Sequence, residues 1–369
     1  MQAINITKLK DSFKVLHEKY HAYLPAVFFA SGFILDILTL GEVDDLSNMI
    51  ILSLYLTLAI IILALEFLEI KTIETDKKWL KKAFEYRNNG FHFFLGALLS
   101  AFTLFYFKSS SISNSFFFML IMMALLLLNE TSLFQKKGII IRSILIMLAV
   151  VSYLILMVPT LTGEANALIF ALCIVMALVF SGIAFWALSK NLTDKSIPLK
   201  NMFYPQVSVL IVFVLLYWLK VLPPVPLSIK NIGVYYKIDK TEGEYYAYTL
   251  HPTWKFWLSG DQNFKAREGD QIFVAANIFS PAGFKGKIYM RWLKSTQDGW
   301  TTSDRLPMEI WGGRAKGFRG FAFKNNYTEG DWQVRVETDD GLEIGRLSFE
   351  VSKDPAAESD RIFRRVKLN

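Results

Sequence analysis

The strongest constraint in this sequence is a succession of seven apolar stretches, at about Ala22–Leu40, Met49–Ile70, Phe91–Phe107, Ser115–Leu128, Ile139–Leu161, Asn166–Ser189 and Phe203–Leu222. A helix needs roughly 20 apolar residues to cross a hydrocarbon core about 30 Å thick, and only Ser115–Leu128 falls clearly short of that. One buried core helix would not recur seven times. Strict polar/apolar alternation is absent, so an outer-membrane barrel is excluded and a multi-pass helical bundle is expected. The first stretch does not read as a cleavable leader, because its basic lead-in is long, Pro25 and Asp36 interrupt it, and no Ala-x-Ala site follows. Upstream, Leu9, Phe13, Leu16 and Tyr20 recur at helical spacing among lysines, as in a short interfacial helix over Lys8–Tyr23.

Charge placement orients the bundle. With the N-terminus inside, the inner segments carry Lys8, Lys10, Lys14 and Lys19, then Lys71, Lys77, Lys78, Lys81, Lys82 and Arg87, then Lys136 and Lys137, then Lys190, Lys195 and Lys200. The opposite loops carry Lys108 together with Glu42, Asp44, Asp45 and Glu164. This is a strong positive-inside bias, and an odd number of spans places everything after Leu222 outside the cytoplasm. The net charge of +7, from 40 Lys+Arg against 33 Asp+Glu, is thereby a topology signal, and no nucleic-acid partner is expected.

Ionisable groups in or beside the spans are Asp36, Glu66, Glu69, His92, Glu130, Arg142 and Lys220. At about 1.5 Å per residue, Glu66, Glu69, His92, Glu130 and Arg142 lie within about a turn of the inner face, and Asp36 near the outer one. A proton or ion relay is expected to place carboxylates near the midplane, often beside broken helices, and none stands there. The plain reading pairs Glu66 or Glu69 with Arg142 or a loop lysine; the functional one makes a cluster of Glu66, His92 and Arg142. Asp36, costly against lipid, is expected to face the bundle or an outward cavity, and divides evenly between a structural and a functional role. No metal site is expected, since His92 has no neighbouring His in the sequence. Ser31, Gly32, Gly96, Ser100, Ser181 and Gly182 would let helices approach closely.

From Pro223-Pro224-Val225-Pro226 onward the pattern changes to short runs rich in aromatic and β-branched residues: Gly233–Lys237, Tyr245–His251, Gln271–Phe279, Lys287–Leu293, Phe318–Lys324, Trp332–Thr338 and Leu342–Val351. Six of the nine Trp lie in this part. The expected fold is therefore a multi-pass membrane bundle of about seven helices followed by an all-β sandwich of immunoglobulin-like architecture. The expected divisions are a cytoplasmic amphipathic segment 1–21, the bundle 22–222, a stiff Pro-rich linker 223–229, the sandwich 230–354 and a basic tail 355–369, the tail being read as frayed. The last hairpin turns at Asp339-Asp340-Gly341, and a bulge near Gly345 is needed to bring Leu347, Phe349 and Val351 back into phase. The single cysteine, Cys173, excludes an intrachain disulfide.

Gly312-Gly313-Arg314-Ala315-Lys316-Gly317-Phe318-Arg319, then Lys324, Gly330-Asp331-Trp332-Gln333-Val334, Gly341-Leu342-Glu343-Ile344-Gly345-Arg346 and Phe349 resemble the C-terminal bacterial module called domain-of-unknown-function family 2914. Tyr289-Met290-Arg291-Trp292 fits the strand where that module commonly has His-x-Trp, with Met290 at or near the His, so no role passes from that His. The resemblance covers about Lys287–Val351. It implies a small β module on a bacterial membrane protein, and nothing catalytic.

Arg314, Lys316 and Arg319, set among glycines with Trp311, Phe318 and Phe321 beside them, are the candidate ligand-binding residues, because guanidinium forks next to aromatics suit carboxylates, phosphates or sugars. Against this, the glycines could serve only a turn and a bulge with Phe318 in the core. His251, Trp254 and Trp257 form another aromatic group, read as core before binding platform. No catalytic set and no cofactor site is legible. Three functions follow. The first is an inner-membrane protein whose periplasmic sandwich binds an envelope glycan, lipid or protein partner, the bundle being anchor or signal path. The second is a transporter or channel, and the third an intramembrane enzyme on a lipid-linked substrate.

Overall fold

A computed structural model describes residues 40–69, 77–110, 112–129, 138–241, 244–252, 254–255, 258, 260–281, 284–311, 317–354 and 361–368. The expected Lys8–Tyr23 helix, the first apolar stretch up to residue 39, and with it Asp36, lie outside the described residues, as does Glu130. The helices are α1 (Leu46–Phe67), α2 (Lys78–Glu85), α3 (Arg87–Lys108), α4 (Ile112–Asn129), α5 (Ile139–Thr162), α6 (Ala167–Asn191) and α7 (Ser196–Trp218). Five of them, α1, α3, α5, α6 and α7, are long and apolar enough to cross a membrane, and α4 contributes a shorter apolar segment, Ser115–Leu125.

The ends of these helices follow from local chemistry. Asp45 caps α1 by accepting from the Ser47 N–H at 3.0 Å, and Asn166 caps α6 through the Ile169 N–H at 3.0 Å. Gly163, at φ 73°, closes α5 in the left-handed conformation that favours glycine. Helix α7 opens with a π turn over Leu199–Phe203.

Burial ranks the helices. Their apolar windows are 61% buried in α3 and α5 but 17% buried in α6, so α3 and α5 form the centre. Leu95, Leu98, Leu99 and Phe102 of α3 meet Met147, Ala149 and Val151 of α5 in one apolar core. Because lipid tails are as apolar as the core, close packing and interhelical hydrogen bonds hold such helices together. Ala59, Ala149, Ala177 and Ser181 are fully buried, as that requires. Gly182 does not share this role: a Cβ built there meets nothing within 4 Å.

Among its described residues the C-terminal part has eleven strands: β1 (Ser228–Tyr235), β2 (Lys237–Thr241), β3 (Glu244–Thr249), β4 (Asn263–Ala266), β5 (Ile272–Phe279), β6 (Lys285–Thr296), β7 (Gly299–Trp311), β8 (Phe318–Lys324), β9 (Gly330–Thr338), β10 (Glu343–Lys353) and β11 (Arg364–Lys367). They form sheets ordered β1-β5-β8, β4-β10-β9-β6-β7 and β11-β3-β2. Val234, Val274, Ile278 and Ala322 of the first sheet share one core with Met290, Trp292, Val334 and Phe349 of the second. The third sheet lies on the other side of the first, where Tyr235 and Ala275 pack with Ile238 and Ala247. Between β10 and β9 the register shifts at Glu343/Gly345, so the bulge stands where the hydrophobic phase requires it.

Four strands, β2, β4, β7 and β11, fall outside the runs read from the sequence. Strand β7 is too polar to alternate visibly, and it runs along the edge of its sheet, where Pro307 removes no needed donor. The tail is not frayed over its last described residues: Arg364–Lys367 pairs antiparallel with β3.

The β part sits on one end of the bundle. Tyr217 donates to Asp340 at 2.7 Å, the Lys285 N–H donates to the Gly163 carbonyl at 2.8 Å, and Lys230 lies 3.3 Å from Glu42. Lys108, at the close of α3, donates to the Gly41 carbonyl at that same end. Lys81, Lys82, Lys190, Lys195 and Lys200 follow or precede the opposite helix ends.

Candidate functional site

Within the bundle, the sequence candidates Glu66 and Arg142 come together. Arg142 Nη1 donates to Glu66 Oε2 at 2.6 Å, and the guanidinium carbon lies 5.4 Å from the Phe91 ring centre. The pair joins the end of α1 to the start of α5. His92 stands on α3 next to Phe91, the two rings meeting edge to face at 5.6 Å. Among the described residues no three His, Cys, Asp or Glu side chains gather as a metal site requires. Glu66 and Arg142 make a helix-to-helix tie through this contact. The interior polar contacts that accompany it are the Ser53–Tyr153 hydroxyl pair at 2.6 Å and Ser181 donating to Gln206 at 2.7 Å.

In the β part, Arg319 lies on β8, on the face of the first sheet turned toward the third. There the two sheets leave a cavity of about 240 Å³. Tyr235, Tyr245 and Phe321 give it aromatic walls, Asn231 and Asn277 give it amides, and Arg319 and Lys367 give it positive charge. Strand alternation explains the arrangement. Val234, Ala276 and Ala322 face the shared core, so their neighbours Tyr235, Asn277 and Phe321 must face the third sheet.

The cations are tied to one carboxylate. Arg319 Nη1 donates to Glu244 Oε2 at 3.0 Å, and Lys367 Nζ lies 3.3 Å from Glu244 Oε1. The hydrogen bonds from Arg319 and Lys367 hold the Glu244 carboxyl below the usual carboxylate range. Burial pushes the Tyr235 hydroxyl up to about 12, so it stays protonated. Two guanidinium/ammonium groups over one carboxylate leave one positive charge beside three aromatic rings and two amides, a combination suited to an oxygen-rich anion with an apolar face.

Gly317 shows what the glycines of the motif do. Its φ is +81°, and a Cβ there would come within 2.4 Å of Asn277 Oδ1 and 2.9 Å of the Ile278 carbonyl oxygen. Phe318 packs against the shared core, so both glycine and phenylalanine serve the strand entry. Arg314, Lys316 and the Trp311 side chain lie outside the described residues, and so does Trp257. Trp254 is 63% exposed, not core, with Lys255 Nζ 5.2 Å from its ring centre. His251 Nε2 lies 3.3 Å from Arg364. Of the motif read from the sequence, then, Arg319 is seen in the cavity together with Phe321. Its partners Tyr235, Glu244, Tyr245, Asn277 and Lys367 are scattered singly along the chain, and no local spacing groups them.

Residues 285–351 match the model of a family described as "Protein of unknown function (DUF2914)", the module whose motifs the sequence carries. No curated protein matches the chain. Among solved structures, an immunoglobulin-like protein from Pseudomonas aeruginosa is 12% identical over 35% of this chain and 98% of its own, with a TM-score of 0.22. A β-glucosidase from Kluyveromyces marxianus is 9% identical over 28% of this chain and 14% of its own, with a TM-score of 0.18. An alkylpurine DNA glycosylase from Pseudomonas fluorescens is 9% identical over 84% of this chain and 99% of its own, with a TM-score of 0.20. At these identities and scores the likenesses carry no functional argument.

Proposed function

We propose that this chain is a bacterial inner-membrane protein whose extracytoplasmic β-sandwich binds an anionic envelope glycan in the cavity between its first and third sheets, the bundle serving as anchor. The observation that carries this reading is the cavity's lining: Tyr235, Tyr245 and Phe321 offer faces for sugar rings, Asn231 and Asn277 offer amides, and Arg319 with Lys367 offers an anion partner. The topology is seven spans with the N-terminus in the cytoplasm, the first being the apolar stretch 22–40. It is supported by the seating of the β part on the end opposite the lysine-rich segments. The fully buried apolar centre of α3 and α5, together with the closed Glu66–Arg142 pair, favours an anchor over a transport path or an intramembrane catalytic centre.

The test is binding of uronic-acid-containing oligosaccharides to the full chain in nonionic micelles, with neutral oligosaccharides of the same length as reference. The parent should prefer the acidic sugars, Arg319→Gln should abolish that preference, and Phe321→Ala should weaken both. Absence of oligosaccharide binding by a folded parent, or an unchanged preference in Arg319→Gln, would sink the proposal.

A further inference from the structure

The outer face of the second sheet carries four arginines in a single row. Arg346 on β10 is the register partner of Arg335 on β9, Arg335 of Arg291 on β6, and Arg291 of Arg305 on β7. Like charges directly opposite across strands are destabilising, and here the same choice is made on four successive strands. At about 4.8 Å between strands the row is roughly 14 Å long.

Beneath the row lie two carboxylates. Glu337 accepts from Arg291 at 2.7 Å and from Arg305 at 2.9 Å. Glu343 takes a two-pronged contact from Arg346 at 2.5 Å and lies 3.9 Å from Arg335. The carboxylates are 4% and 5% exposed, whereas the four arginine side chains are 22% to 36% exposed. Negative charge is therefore sunk into the sheet while positive charge faces out, and two carboxylates shared by four guanidiniums leave an excess of two positive charges. Asp339, just past the end of β9, is nearer: its carbonyl accepts from Arg305 at 3.2 Å, and its carboxylate is engaged by the Tyr289 hydroxyl. In the other direction the next outward acids on β9 and β10, Asp331 and Glu350, stand four residues further along. That is about 13 Å at strand rise, more than the roughly 8 Å screening length at physiological salt. Burial and the charge of Arg346 hold the Arg335 guanidinium below the usual arginine range.

We infer that this arginine row is a docking surface for a phosphate-bearing anionic polymer, separate from the glycan cavity on the other sheet. A row of this length with excess charge along it matches a linear partner better than one small ion. Phosphate fits better than carboxylate, because Glu337 and Glu343 already serve the inner sides of the guanidiniums, and a tetrahedral phosphate brings more oxygens and more charge to the outward donors of neighbouring arginines than a planar carboxylate does. A bilayer is disfavoured by position. The turn Asp339-Asp340-Gly341 that meets the bundle lies four to six residues beyond Arg335 along the chain, which sets the row's backbone about 13–20 Å away along the strand, although the long Arg305 side chain reaches back to donate to the Asp339 carbonyl at 3.2 Å.

The probe is fluorescent inorganic polyphosphate, titrated by anisotropy against the full chain in phosphatidylcholine nanodiscs at several salt concentrations. The parent should bind with a strong salt dependence. Arg335→Gln should weaken binding about tenfold and lower the salt slope by about one, with melting temperature equal to or above the parent's because a repulsion is relieved. A merely structural arginine would instead lower the melting temperature and leave the salt slope alone. Arg305→Gln, on the edge strand, supplies a second measurement if Arg335→Gln does not fold, and Arg319→Gln in the cavity should leave polyphosphate binding untouched. The inference is overturned if the folded parent does not bind polyphosphate, or if both arginine variants bind as the parent does. It is equally overturned if poly-glutamate binds as well as polyphosphate, which would assign the face to acidic proteins. Capture by phosphatidylglycerol vesicles without polyphosphate binding would assign it to a bilayer, and overturn it too.

Discussion

Gly317 and Glu244 show how single residues shape the cavity. The positive φ of Gly317 and the 2.4 Å approach to Asn277 leave no room for a side chain. Gly317→Ala should therefore cost about 1–3 kcal/mol, read as a lower melting temperature of the full chain, whereas Gly299→Ala faces open space and should show only the strain of its own φ of +107°. Glu244 is half-buried, and hydrogen bonds from Arg319 and Lys367 lower its pKa. Its contribution is complete above the ordinary glutamate pKa of about 4.3 and is lost as pH falls through the lower folded value. Acidification should thus speed amide exchange in β11 only below the ordinary carboxylate range, and Glu244→Gln should remove that acid step. For Arg142 and Glu66, a double-mutant cycle with Gln at each position should give a coupling of about 1 kcal/mol, measured by thermal unfolding in micelles.

At the scale of elements, β11 most alters the expected picture. Arg361, just before it, is 8% exposed in its side chain and meets Asp270 at 2.7 Å and Asp354 at 3.1 Å, with its guanidinium 4.9 Å from the Tyr236 ring centre. Removing one partner of such a cluster strands the others. Arg361→Ala should cost about 3 kcal/mol and detach β11, and a chain stopped after Asp354 should lose the cavity with its Lys367. Both are checked by melting temperature and by oligosaccharide binding. Retention of binding by the shortened chain would show that β11 does not line the site. Strand β7 is the complementary case. Its outer-row Arg305 and its Asp304, paired with Lys324 of β8, make it legible as structure only once β6 and β8 are in place.

The whole molecule is held together at the seam between bundle and sheets. Phe170 and Tyr217 stack at 4.0 Å, and the Tyr217 hydroxyl reaches Asp340 in the β9–β10 turn. A Cβ at Gly341 would come within 2.7 Å of Lys220 Nζ, so that turn rests directly on the end of α7. Tyr217→Phe should cost about 1 kcal/mol of seating, seen as faster amide exchange or proteolysis at the turn without loss of the sheet core. For the proposed topology, alkaline phosphatase fused at the C-terminus should be active in cells. A silent phosphatase with an active cytoplasmic reporter at the same point would reverse the orientation.

Hydropathy makes the long apolar helices of the bundle readable without coordinates, because a bilayer imposes a length rule on each segment separately, and the positions of lysine carry the proposed orientation. Strand periodicity likewise makes the β9–β10 hairpin and its bulge readable, since a one-residue slip would turn Leu347, Phe349 and Val351 out of the core. The pairing of Glu66 with Arg142 stands among the alternatives open to the sequence, and only helix packing selects it. The cavity around Arg319 and the row of Arg346, Arg335, Arg291 and Arg305 are invisible in any window of the chain. Each is assembled from strands far apart in order, and which residues stand opposite one another is set by sheet order and register. Those are decided when the sheets close on their common core, so tertiary structure alone brings these charges side by side.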